Sequence, residues 1–334
     1  MPDQAPQLRD VLDAQRIIAP YLDPTPVRSY PALDDLAGAD LFVKHENHLP
    51  TGAFKVRGGI NLVARLGSER LTAGVYAAST GNHGQSVAYA ASLFDVAASI
   101  FVPRGANPVK VSSMRSLGAT VVEHGVDFDE ARERCEQVAT ARGARYIHSG
   151  NEPLLIAGVA TATLELLERE PSIDVIVVPV GGGSGAAGAC IVAKAIDPRI
   201  AVIGVQSEAA PAAYRAWRER RPIADEMHTF AEGLQTRVSF ELPQRILAEH
   251  LDDFVLVADD ELRAATLGLI ELTRTLVEPA GAAPLAAVLK LRERLAGRRV
   301  ALVCSGANIS PAQLRELLDW GHGRQPVENP SPGI

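Results

Sequence analysis

Lys55 lies behind Phe54 in the stretch TGAFKVRG, Thr51 to Gly58. A solvated lysine is protonated at neutral pH and does no covalent chemistry. An amine held beside an aromatic ring, in a segment rich in Gly and Ala, can be desolvated. Its pKa then falls and enough neutral amine is left to attack a carbonyl. Lys44, in FVKHEN, reads instead as a solvated charge paired with Glu46.

Two further stretches could gather anions. In VIVVPVGGGSGAAGACIVAKAI an apolar strand runs into Gly181, Gly182, Gly183, Ser184 and Gly185 and then into a helix, so unpaired backbone N–H groups and the positive helix end converge where a phosphate can sit. Gly183, Gly185 and Gly188 also match G-x-G-x-x-G, and Glu208 follows at the distance of a ribose-binding acid, which leaves a nicotinamide or flavin site, or a tight turn without ligand, as alternatives. In VYAASTGNHGQSVAYAASLF, Ser79, Thr80, Gly81, Asn82 and His83 open a helix and form a second pocket, suited to a carboxylate or a phosphate. The same residues would also serve as an ordinary cap and turn. A fourth stretch, VALVCSGANIS, ends a strand at Ser305, where ligands gather in an open parallel sheet; a plain turn is the other reading.

The elements that must position these residues are legible as alternation. The runs at 98–102, 119–124, 174–180, 201–206, 253–258 and 300–305 are short and rich in β-branched residues, and longer amphipathic segments separate them, which is the pattern of parallel strands joined by crossover helices. In DFDEARERCEQVATARGA, Ala131, Cys135, Val138 and Arg142 trace one helical face; DDELRAATLGLIELTRTLVE and AAPLAAVLKLRERLAG read as two more helices. No repeat and no linker divides the chain cleanly.

Composition narrows the function classes. The 334 residues allow one large α/β unit or two smaller ones. A net charge of −7 with interleaved signs leaves no basic face for a row of phosphates, so a nucleic-acid role is not expected. Cys135, Cys190 and Cys304 lack the spacing of a zinc site or a disulfide framework, which fits a reducing cytoplasm. No run approaches the ~20 apolar residues of a membrane span, and the N-terminus does not read as an export signal.

Taken in order, TGAFKVRG, STGNHG, GGGSG and CSGAN resemble the fold type II pyridoxal-phosphate enzymes, and within them the threonine/serine dehydratase and serine racemase family, over nearly the whole chain from about Leu8 to about Trp320. The resemblance implies an α/β fold of two open, twisted, mostly parallel sheets flanked by helices, with the active site between a discontinuous large domain (1–70 and 151–334) and a small mobile domain (71–150). Residues 322–334 are expected to form a frayed tail.

It implies pyridoxal 5'-phosphate joined through an imine to Lys55, with Phe54 against the ring, Asn82 on its phenolic oxygen, Gly181, Gly182, Gly183, Ser184 and Gly185 around the phosphate, Ser305 at the pyridine nitrogen and Glu278 of EPAGAA near the ring. Ser79, Thr80, Gly81 and His83 would receive the substrate carboxylate, and Lys55 would act as the base. A hydroxyl at the ring nitrogen leaves it largely unprotonated, which suits β-elimination better than transamination. The implied reaction is elimination from a β-hydroxy amino acid to a 2-oxo acid and ammonia. Thr80 is commonly alanine in the dehydratases and serine in the racemases, so amino-acid racemisation is the alternative.

By the same resemblance, Gln206 and Ala212 fall at the family's cation positions, and an alignment through Glu208 restores only one ligand, so no metal is expected. Gly150 replaces an asparagine that the family often carries, and Val159 and Ala160 interrupt its GQGT. Homodimerisation and the absence of an appended regulatory domain complete the expectations.

Overall fold

The computed structural model describes residues 4–67 and 71–322. Its strands are β1 (Val27–Arg28), β2 (Asp40–His45), β3 (Val75–Ala78), β4 (Ala98–Val102), β5 (Thr120–Glu123), β6 (Arg145–Tyr146), β7 (Val175–Pro179), β8 (Ala201–Ser207), β9 (Asp253–Val257) and β10 (Arg299–Cys304). The helices run α1 (Leu8–Ile18), α2 (Pro31–Ala37), α3 (Lys55–Leu66), α4 (Asn82–Leu93), α5 (Pro108–Ser116), α6 (Phe128–Arg142) and α7 (Pro153–Arg169) in the first half. The second half adds α8 (Ser184–Ile196), α9 (Ala212–Glu219), α10 (Glu241–His250), α11 (Asp259–Thr273), α12 (Pro279–Lys290), α13 (Arg292–Leu295) and α14 (Pro311–His322).

The strands form two sheets, a six-stranded one in the order β1-β2-β10-β7-β8-β9 and a four-stranded one in the order β5-β4-β3-β6. Every pairing is parallel except β1 with β2. Parallel strands are buried on both faces by their crossover helices, which explains why the runs read as continuous apolar stretches rather than as alternations. One apolar cluster fills each face of the large sheet. A third cluster joins Ala14 and Ile18 of α1 and Val56, Ile60 and Val63 of α3 to Val75, Ala77 and Ile100 of the four-stranded sheet, so α3 is packed into the core beside the smaller sheet.

All six anticipated strands are present within a residue or two at each end. The helices needed more correction. On α6 the buried stripe is Ala131, Cys135 and Ala139; Val138 is only half-buried and Arg142 is exposed, its guanidinium donating to the Tyr76 hydroxyl. α11 stops at Thr273 because Arg274 turns left-handed at φ 56, a stop that no glycine advertises. α12 begins earlier than expected, at Pro279, a residue preorganised for a first helical turn. Of the expected tail, 323–334 lie outside the described residues.

Lys44 overturns its solvated reading. It is 1% exposed, and its Nζ donates to Glu165 at 2.6 Å and to the Thr25 carbonyl at 3.0 Å, with Glu46 at 3.9 Å. Arg57, also fully buried, grips Glu46 through Nε (2.6 Å) and Nη2 (2.9 Å), and Glu165 through Nη1 (2.6 Å) and Nη2 (2.8 Å). Thr161 and Thr25 complete the set at 3.2 and 3.4 Å. Two cations and two anions thus cancel in the interior. Burial alone would raise the Glu46 carboxyl, but the Arg57 guanidinium outweighs it and holds the pKa below its ordinary value.

The knot ties α3 to β2 and α7, and a close helix approach tightens the same joint. A Cβ on Gly158 would stand 2.6 Å from the Arg57 carbonyl, and one on Gly58 would stand 2.9 Å from the Leu155 carbonyl. Removing one member of a buried pair strands its partner charge, which costs about 3–5 kcal/mol. Arg57→Met should therefore lose stability of that order in urea unfolding; a loss below ~1 kcal/mol would contradict the assignment.

Candidate active site

The carboxyl ends of β7 and β10, the start of α3 and the start of α4 open onto one cavity of about 1360 Å³ between the two sheets. Phe54, Lys55, Ser79, Thr80, Gly81, Asn82, His83, Gly181 to Gly185, Glu278 and Ser305 all line it. The four motifs, spread from one end of the chain to the other, therefore meet at one place.

Lys55 is the first residue of α3. Its carbonyl accepts from the Ser86 hydroxyl at 2.6 Å, and its Nζ lies 3.5 Å from Ser184 Oγ and 5.3 Å from the centre of the Phe54 ring. Desolvation pushes the amine down to about 8, with no carboxylate close enough to restore it. That is the environment the TGAFKVRG stretch predicts.

The glycines after β7 form a cradle that side chains would fill. A Cβ at Gly181 would fall 2.3 Å from the Gly233 carbonyl, one at Gly182 would fall 2.4 Å from the Phe240 ring, and Gly183 is left-handed at φ 88. A Cβ at Gly185 would crowd Phe54 at 3.1 Å. No side chain caps α8, so its first-turn N–H groups are left to a ligand anion. α4 begins in the same way after Gly81, without a side-chain cap, and Ser79 Oγ accepts from the Gly81 amide at 3.2 Å. A phosphate at one helix start and a carboxylate at the other both fit.

Around the cradle the polar groups are fixed. Asn82 donates to Glu278 at 2.9 Å and accepts from Asn308 at 2.7 Å; Asn308 also donates to the Thr51 carbonyl at 2.8 Å. Burial raises the Glu278 carboxyl, only partly offset by the Asn82 bond. His83 Nε2 sits 3.2 Å from the Ile147 carbonyl, which can only accept, so that nitrogen carries the proton; burial and the nearby Lys55 amine push His83 down to about 3. Ser305 is buried at the end of β10, where its backbone carbonyl accepts from the Phe54 amide at 3.0 Å. Thr80 is exposed to the cavity.

The cavity wall also contains residues that no motif marked. Lys110 pairs with Glu232, Arg132 with Glu136 at 3.0 Å, Arg237 with Asp129 at 3.5 Å and Arg263 with Asp260 at 3.0 Å. His148 and Phe240 also face the cavity. The only sequence signal for His148 was its place in HSGN, a polar turn between a strand and a helix. Gln206, at the position expected to have lost a metal ligand, accepts from the Tyr214 amide at 3.0 Å and donates to Thr236 at 3.4 Å.

Residues 18–306 match the profile of the family described as "Pyridoxal-phosphate dependent enzyme". The chain belongs to that family. It is 36% identical over 315 residues to an L-threonine ammonia-lyase of Thermotoga maritima, covering 94% of this chain and 78% of that one. It is 33% identical over 317 residues to a serine racemase of Dictyostelium discoideum, covering 93% and 98%. Among solved structures, the processed form of threonine deaminase isoform 2 from Solanum lycopersicum superposes with a TM-score of 0.88 at 29% identity, over 93% of this chain and 91% of that one.

These matches carry the fold type II expectation and displace the nicotinamide reading. The structure gives the displaced motif another use: a Cβ on Gly188 would lie 2.9 Å from Ala160 in α7, so that glycine serves helix packing, and Glu208 pairs with Lys290 at 3.2 Å. Competitive acylation followed by mass spectrometry of the Lys55 peptide, on cofactor-free protein, should give half-maximal reactivity near pH 8. A free lysine side chain titrates near ~10.4, and a Lys55 whose reactivity tracks that of a free-amine standard would refute the desolvated amine.

Proposed function

We propose that this enzyme eliminates the β-hydroxyl of a hydroxy amino acid, giving a 2-oxo acid and ammonia. The observation that carries the reading is the depressed amine of Lys55 placed 3.5 Å from Ser184, at the mouth of a glycine cradle that backbone donors line. The cradle fits a phosphate, and the amine fits an aldehyde. When bound, pyridoxal phosphate supplies an electron sink that makes the substrate's Cα proton labile.

The chain's own residues do the rest. Lys55 would hold the cofactor through its neutral amine, and the same amine would take the Cα proton as a general base. Ser184 and the amides of Gly181 to Gly185 would hold the phosphate, Asn82 and Glu278 would lie beside the ring, and Ser305 would offer the ring nitrogen a neutral hydroxyl. Ser79, Thr80 and the first amides of α4 orient the carboxylate, and Phe54 packs beside the cradle. The four cations of the wall are each matched by an acid, which favours a neutral β-substituent, as in serine or threonine, over a second carboxylate.

A second reading, amino-acid racemisation on the same scaffold, is supported by the hydroxyl of Thr80 exposed in the cavity, since a second proton-carrying group is what inversion at Cα requires. Among the described residues no helix is long and apolar enough to cross a membrane. We place the enzyme in the cytoplasm as a homodimer; the three buried, unpaired cysteines support a reducing compartment, and two-fold dimers are the commonest assembly.

The test is a panel of L- and D-hydroxy amino acids assayed for both 2-oxo acid and inversion. Serine or threonine should yield oxo acid, Lys55→Ala should abolish it, and borohydride reduction followed by digestion should leave a pyridoxyl group on the Lys55 peptide. Inversion without oxo acid would favour the racemase, and a pyridoxyl group on any other lysine would remove the basis of both readings.

A further inference from the structure

His148 lies between β6 and α7, and its ring is held in one orientation by contacts on two sides. Its Nδ1 faces the backbone amides of Gly150 at 3.0 Å and Asn151 at 2.9 Å, both of which can only donate. Nδ1 must therefore keep its lone pair, and the ring proton is confined to Nε2. Protonating the ring would break both bonds. The ring meets Phe240 edge to face, with centroids 4.8 Å apart and planes at 82°. Tyr146 closes the far side at 6.4 Å and 87°.

Phe240 is in turn fixed by two glycines. A Cβ on Gly150 would stand 2.3 Å from its Cδ2, and a Cβ on Gly182 would stand 2.4 Å from its Cε2. The ring thus occupies the room that side chains at 150 and 182 would need. It works as a wedge that couples the His148 turn to the phosphate cradle.

Nε2 has no hydrogen-bond partner among the described residues, and His148 lines the same cavity as Lys55. We propose that His148 is a neutral hydrogen-bond donor to the β-oxygen of the substrate, a specificity-determining contact that rests on the elimination reading above. Cleavage of the Cβ–O bond sends its electron pair to the oxygen, and the developing charge there strengthens a hydrogen bond from a preorganised N–H. His148 keeps its proton throughout; the proton lost from Cα and the hydroxide lost from Cβ account for the water released. Burial, which holds the imidazole below its ordinary pKa against the pull of Glu136 and with the push of Arg132 and Lys55, agrees with a ring that stays neutral.

The test compares two leaving groups on the holoenzyme. Chloride departs without help from a donor, so β-chloroalanine reports everything except the proposed contact. His148→Phe should lower kcat/KM for serine by about 100-fold, the loss typical of one donor to developing negative charge, while β-chloroalanine falls less than about threefold. His148→Gln, which keeps an N–H near the Nε2 position, should recover part of the serine rate. Equal losses on both substrates, or no loss on either, would overturn the proposal.

A readout independent of turnover is the imidazole ¹⁵N spectrum of histidine-labelled holoenzyme, in which the signal missing from His148→Phe identifies this ring among the eight histidines. Nδ1 should show the shift of an unprotonated nitrogen and Nε2 that of a protonated one, unchanged from about pH 6 to 8, a range that spans the ordinary histidine value. The opposite tautomer, or titration at that ordinary value, would also sink the idea. Wild-type enzyme that releases oxo acid from neither substrate would instead count against the elimination reading, and the spectrum would still decide whether His148 is the fixed donor described.

Discussion

Two cations and two anions buried close to the desolvated Lys55 are the constraint on which the site depends. Arg57 stands two residues after Lys55, and its guanidinium donors are spent on Glu46, Glu165 and two threonines. A guanidinium fork suits this role because it grips two carboxylates in fixed planes, which a lysine cannot do. α3 can neither rotate nor slide without exposing unpaired charge to an apolar interior. The direction in which Lys55 leaves the helix is settled by that restriction.

The knot also explains how a charged interior coexists with a desolvated amine. Lys44, Glu46, Arg57 and Glu165 sum to zero, so they add little field at the cavity a short distance away. Lys55 there has no anionic partner, and burial drives it toward the neutral form. His83 and His148 follow the same rule, each with its proton pinned by backbone groups. Glu278 is pushed toward its neutral form as well. Near Lys55 the titratable groups lean neutral while the charged residues farther round the wall are paired with one another, and the two helix starts carry no side-chain cap.

The two sheets meet across this pocket through polar contacts on either side of it. Lys110 to Glu232 and Arg237 to Asp129 bridge segments associated with different sheets, and Asn151 accepts from the Leu242 amide at 3.1 Å. The Arg237–Asp129 pair is exposed and contributes little stability in water, whereas Lys110 is buried in its pair. The α3 to α7 crossing, by contrast, is glycine against glycine and has no slack.

The parts legible in the sequence were those governed by local chemistry. β-Branched runs specified the parallel strands because buried strands need apolar side chains on both faces, and the glycines of GGGSG marked a cradle because only a chain without Cβ atoms fits there. Lys55 stood out by its neighbours. What sequence could not supply was any relation between residues distant along the chain. Lys44 looked solvated because Glu165, 121 residues away, is invisible as its partner. Helix α11 ends at Arg274, which adopts a left-handed conformation that its residue type does not announce. The orientation of His148 was decided only when Phe240, from a distant part of the chain, filled the space left by two glycines and fixed the ring. Residue types determined which chemistry was available; the packing of α3, α7 and the two sheets decided which of those groups were stripped of water and aimed at one another, because desolvation and direction belong to the folded neighbourhood and not to the residue.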